Sequence, residues 1–82
     1  MDKLSIYLVH DIKADTYGAP LFYENNVEAL RELEAATKDP QTKLSKYPAD
    51  YNLLHAGTYD RITGQIQPSK HQVLANCSSF IQ

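Results

Sequence analysis

One amphipathic stretch, closed at both ends by its own stop signals, constrains this chain most. Asn25 stands where a helix cap is needed, and Glu28 follows three residues later, the spacing of a capping box with Asn in the cap place. Ala29, Leu30, Leu33 and Ala36 fall on one arc at about 100° per residue, with Glu28, Arg31 and Glu32 on the opposite arc. Glu34 and Lys38 form a favourable i, i+4 pair, and Lys38 suits the negative C-terminal end. Pro40 ends the helix and pushes Asp39 out of helical geometry. The two alanines in the apolar arc let the helix sit close to a sheet.

The flanking segments read as strands. Leu4 to His10 is rich in β-formers, with Leu4, Ile6 and Leu8 on one face and Ser5, Tyr7 and Val9 on the other. Two semi-apolar faces predict a central strand. Asp11 to Pro20 is turn-rich, and Leu21 to Glu24 predicts a short second strand. After the helix, Gln41 to Asp50 reads as an irregular connection. Tyr51 to Tyr59 reads as a strand with Gly57 inside it, a position that tolerates a bulge or a close neighbour. Asp60 to Gly64 reads as a turn, Gln65 to Gln67 as the return strand, and Pro68 as its stop.

The order predicts a small ββαββ domain of the α+β class. It has a mostly antiparallel sheet of about four strands with one helix packed on one face. The expected division is residues 1–68 as the domain and 69–82 as a C-terminal tail, docked on the core or on a partner subunit. A chain of 82 residues has room for one domain. A domain of this size buries only about 60% of the surface its unfolded chain exposes, so the core is thin. One helix leaves the other sheet face open, and a homodimer or higher homo-oligomer is the expected way to cover it.

The search for chemistry is mostly negative. Gly18, Gly57 and Gly64 lie too far apart to form a phosphate loop. His10, His55 and His71 match no metal-ligand spacing, and a lone Cys77 forms neither an internal disulfide nor a thiolate metal site. The expectation is a non-enzymatic protein without cofactor or metal, made in a reducing compartment. No stretch approaches the ~20 apolar residues of a membrane span, so no membrane partner is expected.

Charge and aromatics are more informative. The net charge of −2 excludes coating of nucleic acid by charge alone. It is unevenly placed: residues 1–41 carry eight acids against four bases, a net −4, and residues 42–82 two acids against four bases, a net +2. In the second half, basic and aromatic residues alternate. Lys43, Lys46, Tyr47 and Tyr51 surround the connection, Tyr59 and Arg61 the hairpin, and Lys70 begins the tail. These seven are the candidate DNA-binding residues, since bases stack on tyrosine while lysine and arginine follow the phosphates. A sheet that presents Tyr7, Tyr51 or Tyr59 is such a platform; the alternative is that these tyrosines pack the sheet edges.

Several segments, in order, resemble a known family. They are Val9-His10-Asp11-Ile12-Lys13-Ala14-Asp15, Tyr17-Gly18-Ala19-Pro20-Leu21-Phe22, Lys38-Asp39-Pro40-Gln41-Thr42, Lys46-Tyr47-Pro48-Ala49-Asp50-Tyr51-Asn52-Leu53 and Gly57-Thr58-Tyr59-Asp60, with Thr63-Gly64. The set is similar to the small nonstructural protein of gokushovirus-type microviruses, which are single-stranded DNA phages. Tyr47 departs from the histidine often found before the proline. The resemblance implies a protein of the infected bacterial cytoplasm, absent from the capsid, that acts in genome replication at the switch to single-stranded DNA synthesis. It carries over no catalytic residue.

Two functions follow. The first is binding of single-stranded DNA as a homo-oligomer. The second is a protein-interaction adaptor, in which Glu28, Arg31 and Glu32 of the acidic helix face, or Phe80 and Ile81 of the tail, dock on a replication initiator, a capsid precursor or a host protein. One contiguous positive stripe favours DNA, and scattered bases favour the adaptor.

Overall fold

The computed structural model describes residues 2–81; the end residues of the two expected ranges, 1 and 82, lie outside them. Strand β1 spans Lys3–Asp11, β2 Thr16–Tyr17 and β3 Leu21–Tyr23. Helix α1 spans Asn26–Lys38, and the short α2 spans Lys43–Lys46. Strand β4 (Tyr51–Asp60) and strand β5 (Ile66–Asn76) follow, and a 3₁₀ turn over Cys77–Phe80 closes the chain. All pairings are antiparallel. The sheet has five strands in the order β2-β1-β4-β5, with β3 sharing the β2 edge of β1. The expected α+β class and central position of the first strand are therefore both present.

α1 begins and ends as its sequence dictates. The Asn25 side chain accepts the Glu28 N–H at 2.9 Å, and Asp39 leaves the helical region at φ −79°, ψ 113°. Lys38 Nζ donates to Glu34 at 2.8 Å. Its buried stripe is Ala29, Leu33 and Thr37. Thr37 is a polar addition to the expected arc, made possible because its hydroxyl donates to the Leu33 carbonyl at 2.8 Å. Asn25→Ala removes the cap and is expected to cost about 1 kcal/mol. A thermal melt reads this as a fall of roughly 4–8 °C.

The helix lies on the Tyr7 and Val9 face of β1, not on the face of Leu4, Ile6 and Leu8. Tyr7, Ala29, Leu33, Leu53 and Cys77 form the buried core. Tyr7 is fully enclosed, and its hydroxyl donates to Asn26 Oδ1 at 2.7 Å. That bond satisfies the one polar atom the ring carries into the core and ties β1 to the first turn of α1. Burial pushes the Cys77 thiol up, so Cys77 is a packing residue and not a thiolate.

Three local readings need correction. The return strand does not stop at Pro68 but runs on to Asn76. Pro68 is tolerated because β5 is an edge strand, where a missing N–H need not break a ladder bond. Residues 69–81 are thus the sheet edge and its closing turn. The connection 41–50 is not wholly irregular, since the Thr42 side chain caps α2 and Pro48–Asp50 form a 3₁₀ turn. Residues 11–20 contain β2, held by the pairs His10 with Tyr17 and Asp11 with Thr16.

Candidate nucleic-acid interface

Register decides what the helix-free face displays. Partners across an antiparallel pair share a face. Leu4 pairs with Tyr59, Ile6 with Phe22 and Gly57, Leu8 with Leu54, and His10 with Tyr17 and Asn52. On β5, Ile66 pairs with Tyr59 and Val73 with Leu54. The face is thus aliphatic at its centre and aromatic toward its margins, and none of these positions is Asp or Glu.

The aromatics form two groups. His10 and Tyr17 stack with ring centroids 4.4 Å apart and planes 12° apart, and His71 meets Tyr17 edge-on at 5.7 Å. Phe22 and Tyr59 pack edge-to-face at 5.7 Å. Tyr17 remains 48% exposed and Phe22 43%, so both offer free ring surface. His10 Nε2 bonds Asp15 Oδ1 at 2.9 Å, and Asp15 holds this edge with a left-handed backbone at φ 54°. The paired residues Ile6 and Phe22 lie four β1 positions from the paired His10 and Tyr17. At about 3.3 Å per residue, the two groups are about 13 Å apart along the strand.

β5 leans over this face. It sets Ser69, Lys70 and His71 against Ala56 alone, between the pairs His55–Gln72 and Gly57–Pro68. That displacement lets His71 reach Tyr17 from the opposite edge of the sheet. Ile6 and Leu54 are only 7% and 3% exposed although neither belongs to the core cluster under the helix.

The residues singled out in the sequence fall in several places. Tyr59 is on the helix-free face, Arg61 lies in the adjoining turn, and Lys70 is exposed on β5. Lys43 and Lys46 lie on α2, with Tyr47 exposed at its end. Tyr51 is half-buried against the core on the helix side, and Tyr7 is fully buried there. Ten residues of β4, about 30 Å at 3.3 Å each, separate the α2 end from Arg61. The bases therefore do not make one contiguous stripe, the arrangement that by charge alone favours the adaptor, so the case for DNA rests on the aromatic rings. Glu28, Arg31 and Glu32 are exposed on α1, while Phe80 packs against the core and Ile81 is exposed.

Sequence reasoning missed His10, Tyr17, Phe22 and His71 as members of one face. Parity held part of the signal: Phe22 alternates with Leu21 and Tyr23, which both pack on the core. The rest depends on pairing across the sheet. Charge is partly sorted between the layers: Glu28, Glu32 and Glu34 ride on the helix, and Asp11 (opposite Tyr51) and Asp60 (opposite Lys3) lie on the helix side of the sheet, while Asp15 bonds His10 and Glu24 lies 3.9 Å from Arg61. The Asp60 carboxyl is held below the usual carboxylate range by the N–H groups of Ile62 and Thr63, inside its own turn.

A family model described as Phage ORF5 protein matches residues 4–80 of the chain. No curated protein and no solved structure matches it.

Proposed function

We propose, for a chain that belongs to the Phage ORF5 protein family, that it binds single-stranded DNA on its helix-free sheet face and acts in phage genome replication. The observation that carries the reading is an aromatic sheet face with exposed rings, the acidic helix lying on the far side of the sheet and Asp15 (against His10) and Glu24 (3.9 Å from Arg61) bringing carboxylates to its margins. The helix carboxylates face solvent on the side of the sheet away from the rings, which weakens the objection raised by the net charge of −2. Tyr17, Phe22 and Tyr59 stack bases, while Arg61 and Lys70 at the margins meet phosphates. Following the resemblance, the protein works in the cytoplasm of a bacterium infected by a gokushovirus-type phage, at the switch to single-stranded DNA synthesis. It does so as a non-enzymatic homo-oligomer whose copies join short aromatic faces along one strand.

The test is a salt titration of a fluorescent twelve-nucleotide oligothymidylate, with the protein's mass measured in the same buffer. The two phosphate contacts of Arg61 and Lys70 give a slope of about −1.4 in log affinity against log salt, roughly a 7-fold loss between about 50 and 200 mM. No binding by the folded protein at low salt refutes the reading.

A further inference from the structure

A second site lies on the opposite layer, independent of the DNA-binding face. Between α1, the β1–β3 edge and α2 the fold leaves a partly open cavity of about 280 Å³. Leu21, Leu33, Leu44 and Leu53 supply its apolar walls, Ala36 lies at its side, and Glu32 is the one charged residue lining it among the described residues. The cavity exists because α1 presents alanine at Ala29 and Ala36, where a larger side chain would fill the gap. Its volume is near the lower bound for small-molecule pockets and suits one or two apolar side chains.

The rim has a sign. Glu28 and Glu32 are one helical turn apart, both exposed and neither in an ion pair among the described residues. The Tyr23 phenol beside them is pushed up, first by burial and then by the charges of Glu32 and Glu28. Glu32, which lines the cavity, therefore sets the charge at its mouth, with Glu28 one turn away on the same helix.

We propose that this cavity docks a basic peptide segment of a partner protein, which inserts one aliphatic side chain between Leu21, Leu33 and Leu44 and sets a lysine or arginine against Glu32 and Glu28. Shape selects the anchor, and the carboxylates select the flanking charge. A neutral anchor peptide gains the apolar contact alone, and an acidic one meets repulsion.

The experiment uses the full chain and three pentapeptides, followed by amide and methyl NMR shifts. They carry one leucine between two pairs of lysines, one serine between the same lysines, and one leucine between two pairs of glutamates. The lysine-leucine peptide is expected to shift the signals of Leu21, Leu33 and Leu44. The serine peptide is expected to bind about tenfold or more weakly, and the glutamate peptide not measurably. Ala36→Leu fills the cavity and is expected to abolish binding of the leucine peptide. Glu32→Lys, an exposed change that leaves the core alone, is expected to weaken it about tenfold. Equal binding of the leucine and serine peptides, or shifts confined to residues outside the cavity, overturns the proposal. Unchanged affinity in Glu32→Lys overturns the choice of a basic partner.

Discussion

Replacing Tyr17 and Tyr59 together by alanine is expected to weaken oligothymidylate binding by roughly 100- to 700-fold, with the fold intact. Each ring belongs to a different aromatic group, so the double variant removes one stacking surface from each. Stacking of a base on an aromatic side chain contributes about 1–3 kcal/mol. Taking about 1.5–2 kcal/mol for each, and adding because the groups lie about 13 Å apart along β1, gives about 3–4 kcal/mol. Every 1.4 kcal/mol is a factor of about ten in affinity. Tyr17 is half exposed; it loses its contacts with His10 and His71, and Tyr59 loses its contact with Phe22, at about 0.5–1.5 kcal/mol each. Fluorescence anisotropy measures the affinity, and circular dichroism checks the fold. Lys43→Ala with Lys46→Ala is the matched control at the other end of β4 and is expected to change affinity less than about threefold. If that pair or Tyr47→Ala weakens binding more than the tyrosine pair does, the interface is at α2.

Local signals explain what was legible in the chain. Asn25, Pro40 and the Glu34–Lys38 pair act within a few residues, so α1 formed where its caps stand. The Asp60 turn was legible for the same reason: its carboxylate accepts from Ile62 and Thr63, and Gly64 takes φ 77°. The parts that were not legible depend on neighbours far along the chain. Leu4, Ile6 and Leu8 are the more aliphatic face of β1, yet the helix covers Tyr7 and Val9. Tyr7 finds its hydrogen-bond acceptor in Asn26, while Ile6 and Leu54 are buried on the helix-free face instead. Pro68 is a stop signal only for a strand with neighbours on both sides, and edge position is a property of the whole sheet. His10 and His71 are 61 positions apart in sequence, and only the path of β5 brings both against Tyr17.

That same path makes Gly57 the glycine with the least room for a side chain. A Cβ added there, on the helix-free face, would stand 2.4 Å from the Gln67 carbonyl oxygen and 3.2 Å from Pro68 Cα. Both neighbours are backbone, so no side chain can swing away, and relief requires β5 to move off β4. Moving it loosens the pairs Thr58 with Gln67 and Gly57 with Pro68. Overpacking of this kind costs about 1–3 kcal/mol, and a valine adds two further methyl groups to the conflict. A chain of 82 residues holds only about 4–12 kcal/mol in total. Gly57→Ala is therefore expected to lower the melting temperature by roughly 10–15 °C, and Gly57→Val to leave little folded protein at 37 °C. Calorimetry measures the first, and near-ultraviolet circular dichroism the second. Gly64→Ala is the comparison: its φ of 77° strains any side chain, but no atom lies within 4 Å of the added carbon. Its penalty is conformational alone, about 1 kcal/mol. Gly57→Ala melting at or above Gly64→Ala would mean that β5 does not approach β4 this closely.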